Sequence, residues 1–218
     1  MELVTIQQEV YEYHELSDKA KDEVRCNLIQ HWETDHIIDF AKENAPAGFI
    51  IDDVRYSVTY SQGDGASWTG AIQLIEFFEA NPDPENIGEE VIIIELMRND
   101  WIDDKANVVQ NSYHYVHSGT MKFEEVRDYA ESAEDDSNHP LLSVGVLENA
   151  NVKDLFDSFH WARRLDLMVE RALQAAKDYA DEIYNQLKED YEYQISDENI
   201  EELIYINGWR FDINGKII

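Results

Sequence analysis

The sequence predicts an α+β fold, in which an antiparallel sheet of four or more strands is covered by a long C-terminal amphipathic helix and an N-terminal helix. Apolar and polar residues alternate on both sides of a Gly-rich turn between residues 54 and 72, which is typical of a β-hairpin. Apolar residues recur every three or four positions in 152–190 and again in 18–44, as in amphipathic helices. No repeat or composition shift divides the chain, so we expect a single domain over residues 1–218.

The N-terminal helix is predicted to run from about residue 18 to residue 44. Ser17 is a favourable N-cap residue, and Val24 begins an apolar stripe with helical spacing. Pro46 lies just beyond the last helical position and marks the end of the pattern. Residues 1–12 mix apolar and polar positions, which is compatible with an edge strand.

The predicted hairpin is the central element of the sheet. Residues 54–60 alternate between apolar and polar types, and residues 68–72 alternate again. The intervening Gln62-Gly63-Asp64-Gly65 contains an Asp-Gly pair, a strong turn signal, and is the expected tip. The favoured interpretation is a tight turn followed by one buried aromatic residue, Trp68. The alternative is a recognition site, in which case replacing Asp64 by Ala abolishes binding with little loss of stability.

The segments between the two helices have shorter patterns. Residues 74–78 fit either a continued strand or a short helix. Residues 91–96 are apolar and mostly β-branched, which predicts a buried strand, although a run this short also fits a helix. Residues 108–116 alternate as a strand, and Gly119 turns the chain towards residues 121–123.

The pattern in residues 152–190 is the longest in the chain and predicts a helix of roughly 55 Å, at ~1.5 Å per residue. Arg163, Arg164 and Arg171 make it the least acidic part of the chain. Its small residues permit close packing against the sheet, and a homodimer contact between two copies of this helix is the alternative. A short helix capped by Ser196 and a tail rich in aromatic residues follow.

Three stretches of the sequence resemble one family. They are Ser61–Trp68 (SQGDGASW), Tyr13–Lys21 (YHELSDKAK), and a C-terminal tail with Ser196-Asp197-Glu198, Asn207, Phe211 and Asn214-Gly215. Together they resemble acidic, uncharacterised proteins encoded by phages and prophages. The resemblance implies a phage or prophage setting, and because it carries no known activity it transfers no catalytic residue.

Charge is the strongest compositional signal. The chain has 47 Asp and Glu against 17 Lys and Arg, a formal net charge of −30. Such a charge repels nucleic acids and anionic membranes and attracts basic protein surfaces. We therefore expect a basic protein partner, without direct nucleic-acid or membrane binding. Cys26 is the only cysteine, and no signal-peptide or membrane-spanning pattern is present, so we expect a cytoplasmic location, in a bacterial host cell if the resemblance holds.

The candidate binding residues lie in the hairpin and in the acidic segments. Acidic residues outnumber basic ones by ten to one in residues 76–104 and by eight to two in residues 122–148. Carboxylates held on such segments can imitate the phosphates that nucleic-acid-binding proteins neutralise. The predicted contact residues are Gln62, Asp64, Ser67, Trp68, Glu89, Glu90, Asp103, Asp104, Glu134, Asp135 and Asp136.

Three functions are compatible with these features. The first is an accessory protein that binds and inhibits a basic, nucleic-acid-binding host protein, as a DNA mimic directed at a restriction or CRISPR nuclease would. The second is a structural or regulatory binding module without mimicry. The third is a small hydrolase, in which the Gly-rich hairpin holds an anion and Asp64 or His114 moves a proton. The third has the weakest support, because no nucleophile or metal-binding motif is present.

No cofactor or metal ion is expected. His114 and His117 are three positions apart on a predicted strand, so their side chains point to opposite faces and do not share a metal. The acidic residues in 131–140 lack the ligand spacing and the glycine of an EF-hand, and we expect a solvated loop there.

Overall fold

The computed structural model describes residues 9–59, 61–99, 102–112, 115–124 and 161–218. Within these residues the chain forms six α-helices and one four-stranded antiparallel sheet, which confirms the predicted α+β class. The elements in chain order are α1 (Asp18–Ile29), α2 (Asp35–Glu43), β1 (Phe49–Ser57), β2 (Gly65–Gln73), α3 (Leu74–Ala80), α4 (Ile87–Arg98), β3 (Lys105–Gln110), β4 (Met121–Phe123), α5 (Trp161–Gln194) and α6 (Asp197–Asn207). Short 3-10 helices span Tyr13–Glu15 and Ser118–Thr120.

The chain contacts divide the protein into two compact units. The first, here called the sheet unit, is Ile38–Tyr184 and contains the whole sheet. The second, called the terminal unit, combines the residues before 38 with Asn185–Ile218. The expectation of a single domain over 1–218 stays a prediction.

The sheet is a meander in which each strand pairs with the next one along the chain. Trp68 of β2 lies opposite Val54 of β1, which confirms the predicted hairpin. The first strand begins at Phe49, five residues earlier than the alternation at 54 indicated, because a register shift at 51–53 hides the period of two. On the other side of β2, Gly70 lies opposite Val108 of β3.

The core of the sheet unit is built around one strand and one helix. Trp68 is only 1% exposed, and its indole N–H donates to the backbone oxygen of Ala176 in α5 at 3.1 Å. Ala172, Ala176 and Ala180 are fully buried on the same helix, because small side chains allow a close approach to the indole ring. Phe49 packs on Trp68 with ring centroids 5.4 Å apart. The predicted packing of the long helix on the sheet is therefore confirmed.

The long helix extends to Gln194, four residues past the predicted end, and residues 152–160 of the prediction lie outside the described residues. Its alanine stripe is occupied by the core of its own unit, so a homodimer through this helix would have to use another face. None of the helices in the described ranges combines the length and the apolar character needed to cross a membrane.

The strand predicted at 91–96 is wrong, since these residues belong to α4. Glu90, Ile93, Ile94 and Met97 are buried at helical spacing, so the buried face contains a charged residue that the apolar run did not include. The open choice at 74–78 resolves as helix α3.

The single helix predicted over 18–44 is also wrong, because α1 ends at Ile29 and α2 begins at Asp35. Trp32 lies in the break, and its indole N–H donates to the Asp190 carboxylate at 2.6 Å. The Trp32 ring also meets Tyr191 edge-on, with centroids 5.4 Å apart. These contacts hold Trp32 in a position that it could not reach from a continuous helix. The prediction was wrong because the apolar residues keep a helical spacing across the break.

The strand predicted at 108–116 ends at Gln110 in the structure, where β3 gives way to a loop. The turn at Gly119 and the return strand are confirmed by Ser118–Thr120 and by β4. The acidic loop predicted at 131–140 lies outside the described residues.

The terminal unit has its own small core. Ser17 and Ser196 cap α1 and α6, as predicted, with their hydroxyls accepting from the N–H groups of Ala20 and Asn199. The Asp197 carboxylate accepts from the Tyr13 hydroxyl at 2.8 Å and from Arg25 at 2.5 Å. These two hydrogen bonds hold the pKa of Asp197 below its ordinary value. The buried core residues are Tyr13, Leu16, Ala20, Val24, Ile200, Ile204 and Phe211.

The tail packs on this core rather than forming a regular strand. Phe211 makes isolated antiparallel bridges with Tyr11 on one side and Ile217 on the other. The edge strand expected within residues 1–12 is thus a single bridge at Tyr11 in the described part of the chain, and residues 1–8 lie outside it.

Replacing Gly70 by Ala should lower the free energy of unfolding by about 2–4 kcal/mol, because φ is +152° there and an added Cβ would lie 2.0 Å from the backbone oxygen of Ile50. Urea unfolding of the purified variant measures the change. Gly88→Ala in α4 is the matched control: its Cβ would meet no atom within 4 Å, so stability should stay equal or rise by up to about 1 kcal/mol. Equal effects of the two variants would contradict the described packing of β1 on β2.

Candidate functional site

The hairpin tip is organised by the carboxylate of Asp64. It accepts hydrogen bonds from the hydroxyls of Ser57 at 2.8 Å, Thr59 at 3.1 Å and Ser61 at 2.9 Å, and from the Ser61 backbone N–H at 2.9 Å. Desolvation raises the pKa of the Asp64 carboxyl, but the hydrogen bonds from Ser57 and Ser61 outweigh it and hold the pKa well below the usual range. The Asp64 carboxylate is therefore ionised, and its oxygens already accept hydrogen bonds from residues of the turn.

This geometry bears on both readings of Asp64. A carboxylate that stays ionised and fully hydrogen-bonded is a poor proton donor or acceptor at neutral pH. Replacing Asp64 by Ala would remove four hydrogen bonds from the turn, so the expectation of little loss of stability does not fit the structure. The tight-turn interpretation accounts for every contact of this side chain.

The other hairpin candidates divide into exposed and buried residues. Gln62 is exposed at the tip. Ser67 and Trp68 are each 1% exposed, so neither side chain is available to a surface partner, and both are corrected here as contact residues. Trp68 lies in the core, and the Ser67 hydroxyl is buried without a hydrogen-bond partner among the described residues.

His117 lies against the hairpin through its backbone and Cβ. A Cβ at Gly65 would fall 2.5 Å from the Cβ of His117, so only glycine permits this approach. The imidazole packs near Gly119 and near the Tyr115 ring, whose centroid is 6.0 Å away. In the described residues no hydrogen bond joins His117 to Asp64, and His114 lies outside them.

A buried cluster of charges joins α4 and α5. The Glu90 carboxylate, nearly fully buried, accepts from Arg171 at 2.6 Å and from Arg164 at 3.0 Å. Its second oxygen accepts from the backbone N–H of Asp83 at 2.8 Å. The Asp83 carboxylate in turn accepts from Arg164 at 2.8 Å and from Asn86 at 2.9 Å. These hydrogen bonds, led by that from Arg164, lower the pKa of Asp83 to about 2.

Glu90 is thus an internal counter-ion rather than a surface contact, and its place among the predicted binding residues is corrected. Arg164 is buried and Arg171 is half-buried, so placing them here without carboxylates would be unfavourable, and Glu90 supplies the compensating charge together with Asp83. No local pattern in the sequence indicates this pairing, because Arg164 and Arg171 follow Glu90 by 74 and 81 residues.

The cluster also determines the charge of the exposed surface of α5. With Arg164 and Arg171 turned inward, the exposed face of α5 within the sheet unit is dominated by acids, here called the outer row: Asp166, Glu170, Asp178, Asp181 and Glu182. The bases that share this stretch with solvent access in the described residues are Arg163, which is exposed, and Lys177 and Arg171, which are half-buried. The part of the chain that composition marks as least acidic therefore presents a row of carboxylates to solvent, and sequence reasoning missed it.

The remaining predicted acids occupy separate places. Glu89 is exposed on α4 beside the buried Glu90. Asp104 is exposed before β3, and its backbone oxygen accepts from the N–H of Leu74 at 2.7 Å. Asp103 is half-buried. Glu134, Asp135 and Asp136 lie outside the described residues. Across the described ranges, no group of three or more His, Cys, Asp or Glu side chains is placed to hold a metal ion.

A family model described as a domain of unknown function, DUF8835, matches residues 32–197. The chain belongs to this family. No curated protein and no solved structure matches the chain significantly. The DUF8835 match includes the hairpin, the buried cluster and α5, whereas α1 and most of α6 with the tail lie outside it.

Replacing Glu90 by Ala should lower the free energy of unfolding by about 3 kcal/mol, because it removes the most buried of the carboxylates that pair with Arg164 and Arg171 and leaves Asp83 as their remaining shared partner. Chemical denaturation of the DUF8835 protein measures the loss. An exposed residue of α3 outside the cluster provides the control, since Glu76→Ala should change stability by no more than about 0.5 kcal/mol. A small effect of Glu90→Ala would show that the cluster does not join α4 to α5.

The lowered pKa of Asp83 predicts a pH dependence. Its folded pKa of about 2 is below the value of ~3.9 expected in the unfolded chain, so its contribution is fully present above about pH 4 and is lost as the pH falls towards 2. The stability difference between the wild type and Asp83→Asn should therefore shrink over this range in urea melts. The matched control is Glu85→Gln, which changes an exposed side chain and keeps the backbone N–H that donates to Asp83. A difference between the wild type and Asp83→Asn that stays constant from about pH 4 to about pH 2 would refute the ion pairing.

Proposed function

We propose that this DUF8835 protein is an acidic binding protein that occupies a basic, nucleic-acid-binding surface of another protein and thereby inhibits it. The observation that carries the proposal is the separation of charge across α5, with arginines paired inside and the outer row exposed. A net charge of −30 makes association with a basic surface fast and sensitive to salt.

The spacing within the outer row supports mimicry of a phosphate backbone. Residues four positions apart on a helix, such as Asp166 and Glu170, are separated by ~6 Å along the axis. One DNA strand carries a phosphate about every 3.4 Å of axis, so two phosphate steps span about 6.8 Å. Carboxylates of the row can therefore meet cations that are arranged to contact every second phosphate.

The setting of this activity follows from the resemblance to phage and prophage proteins. In an infected bacterial cell, the basic nucleic-acid-binding proteins whose inhibition benefits a phage include restriction and CRISPR nucleases. We therefore propose an anti-defence role in the bacterial cytoplasm, with a DNA-processing nuclease as the class of target.

A second candidate is a structural or regulatory module that binds a protein without imitating DNA. Leu167 favours it, because this apolar side chain of α5 is 47% exposed, one position after Asp166 and three before Glu170. An exposed apolar side chain close to the outer row suits a protein contact and has no counterpart in a phosphate backbone.

The experiment that separates the two candidates is affinity capture from a bacterial lysate at low and high salt, followed by titration of the purified partner with and without duplex DNA. A DNA mimic should be displaced by DNA and released by salt. A partner that resists both treatments would favour the regulatory module, and the absence of any partner would contradict both.

The variant Glu170→Gln/Asp178→Asn/Asp181→Asn tests the outer row. It removes three carboxylates from the row and should weaken binding at least tenfold, with a smaller dependence of the affinity on salt. The control Glu189→Gln/Glu201→Gln/Glu202→Gln removes three exposed carboxylates from the terminal unit and should change the affinity less than twofold. Equal losses would show that net charge, and not the row, determines binding.

A further inference from the structure

A groove of about 560 Å³ lies within the terminal unit, between the first turns of α1 and the turn at 212–216. This volume is in the range of small-molecule sites. Lys19 and Lys216 line it from the two sides, one on α1 and the other on the tail. The groove belongs to neither the hairpin nor the outer row, and the proposed inhibition does not use it.

Within the described residues, the two lysines differ from the other bases of the unit in having no charged or aromatic partner. Among the described Lys and Arg residues of the terminal unit, only Lys19 and Lys216 have neither a carboxylate within 4.0 Å nor an aromatic ring beneath the charge. The others are Lys21 over Tyr13, Arg25 with Asp22 and Asp197, Lys188 with Glu192, and Arg210 with Glu12. In so acidic a chain, two ammonium groups without a carboxylate partner in one groove make this groove a local site of attraction for anions.

The groove also offers neutral hydrogen-bond donors. The side-chain amides of Asn27 and Asn214 line it, and neither makes a hydrogen bond within the described residues. The helix N-terminus contributes little, because the Ser17 hydroxyl already accepts from Ala20 and Asp18 already supplies a negative charge there. The attraction for an anion therefore comes from the lysines, and the amides can orient it.

Two carboxylates in the groove limit the charge that it accepts. Asp212 accepts from the backbone N–H groups of Asn214 and Lys216, each at 2.9 Å, so its charge is used to hold the turn. Gly215 fixes that turn against α1, since φ is +85° and a Cβ would lie 2.3 Å from the backbone oxygen of Ala20. Glu23 is exposed on the groove wall and opposes an anion.

We propose that this groove binds a small organic anion, a carboxylate or a phosphate ester, whose charged group lies between Lys19 and Lys216. The side-chain amides of Asn27 and Asn214 donate to its remaining oxygens. The two ligand sources share one chemistry, a compact anionic group with several acceptor oxygens.

The test is an NMR titration of the full chain with succinate and, separately, with inorganic phosphate, at ionic strength held constant with sodium chloride. Saturable shifts of the backbone amides in 17–27 and 212–216 are expected with at least one probe, and the stronger probe identifies the ligand source. Shifts that do not saturate with either probe would overturn the proposal.

Three variants make the test specific. Lys19→Gln and Lys216→Gln should each weaken binding at least tenfold, while Lys188→Gln, in the same unit but paired with Glu192, should leave it within twofold. Glu23→Gln should tighten binding by removing the opposing charge. Equal losses in all three lysine variants, or weaker binding by Glu23→Gln, would refute recognition of an anion by this groove. Thermal melts of each variant establish that the terminal unit stays folded.

Discussion

The structure of the sheet unit depends on one buried carboxylate. Glu90 accepts hydrogen bonds from Arg164 and Arg171, and through this contact α4 and the loop before it are joined to α5. The same contact divides the charges of α5, since the arginines are neutralised inside and the acids are left in water. The part of α5 within the sheet unit has five acids and four bases, yet its exposed face is thereby acidic. Packing and surface charge are consequences of a single interaction in this molecule.

The hairpin, in contrast, is stabilised by hydrogen bonds within a few residues. Asp64 organises its own turn, and Trp68 anchors the following strand beneath α5. Their contacts give the motif Ser61–Trp68 a structural explanation. In this DUF8835 protein the hairpin motif is therefore separate from the outer row, the surface that we propose binds a partner, and the row becomes visible only when burial is known.

The sequence predicts what is local and repeated. The hairpin and the long helix were found because their patterns persist over many residues, and Ser17 and Ser196 because capping depends on the next three residues. The break between α1 and α2 was missed because Trp32 is held by Asp190, 158 positions away. Helix α4 was predicted as a strand for a related reason. Its buried face includes Glu90, and a buried Glu is stable only beside cations, which here come from Arg164 and Arg171, far away in the sequence. For the candidate site, the burial of Trp68 was predicted, whereas that of Ser67 and Glu90 was not.

The outer row has a geometry that restricts what can bind it. Each step of four residues on a helix turns by about 40° beyond a full rotation, so from Asp166 to Glu182 the carboxylates wind through about 160° around α5. A flat array of cations can face only neighbouring members of such a row. A surface that contacts all of them must curve around the helix with the same inclination, as a cleft lined by bases on both walls would. For the proposed binding to a basic surface, the inclination of the row would favour a concave partner over a flat one.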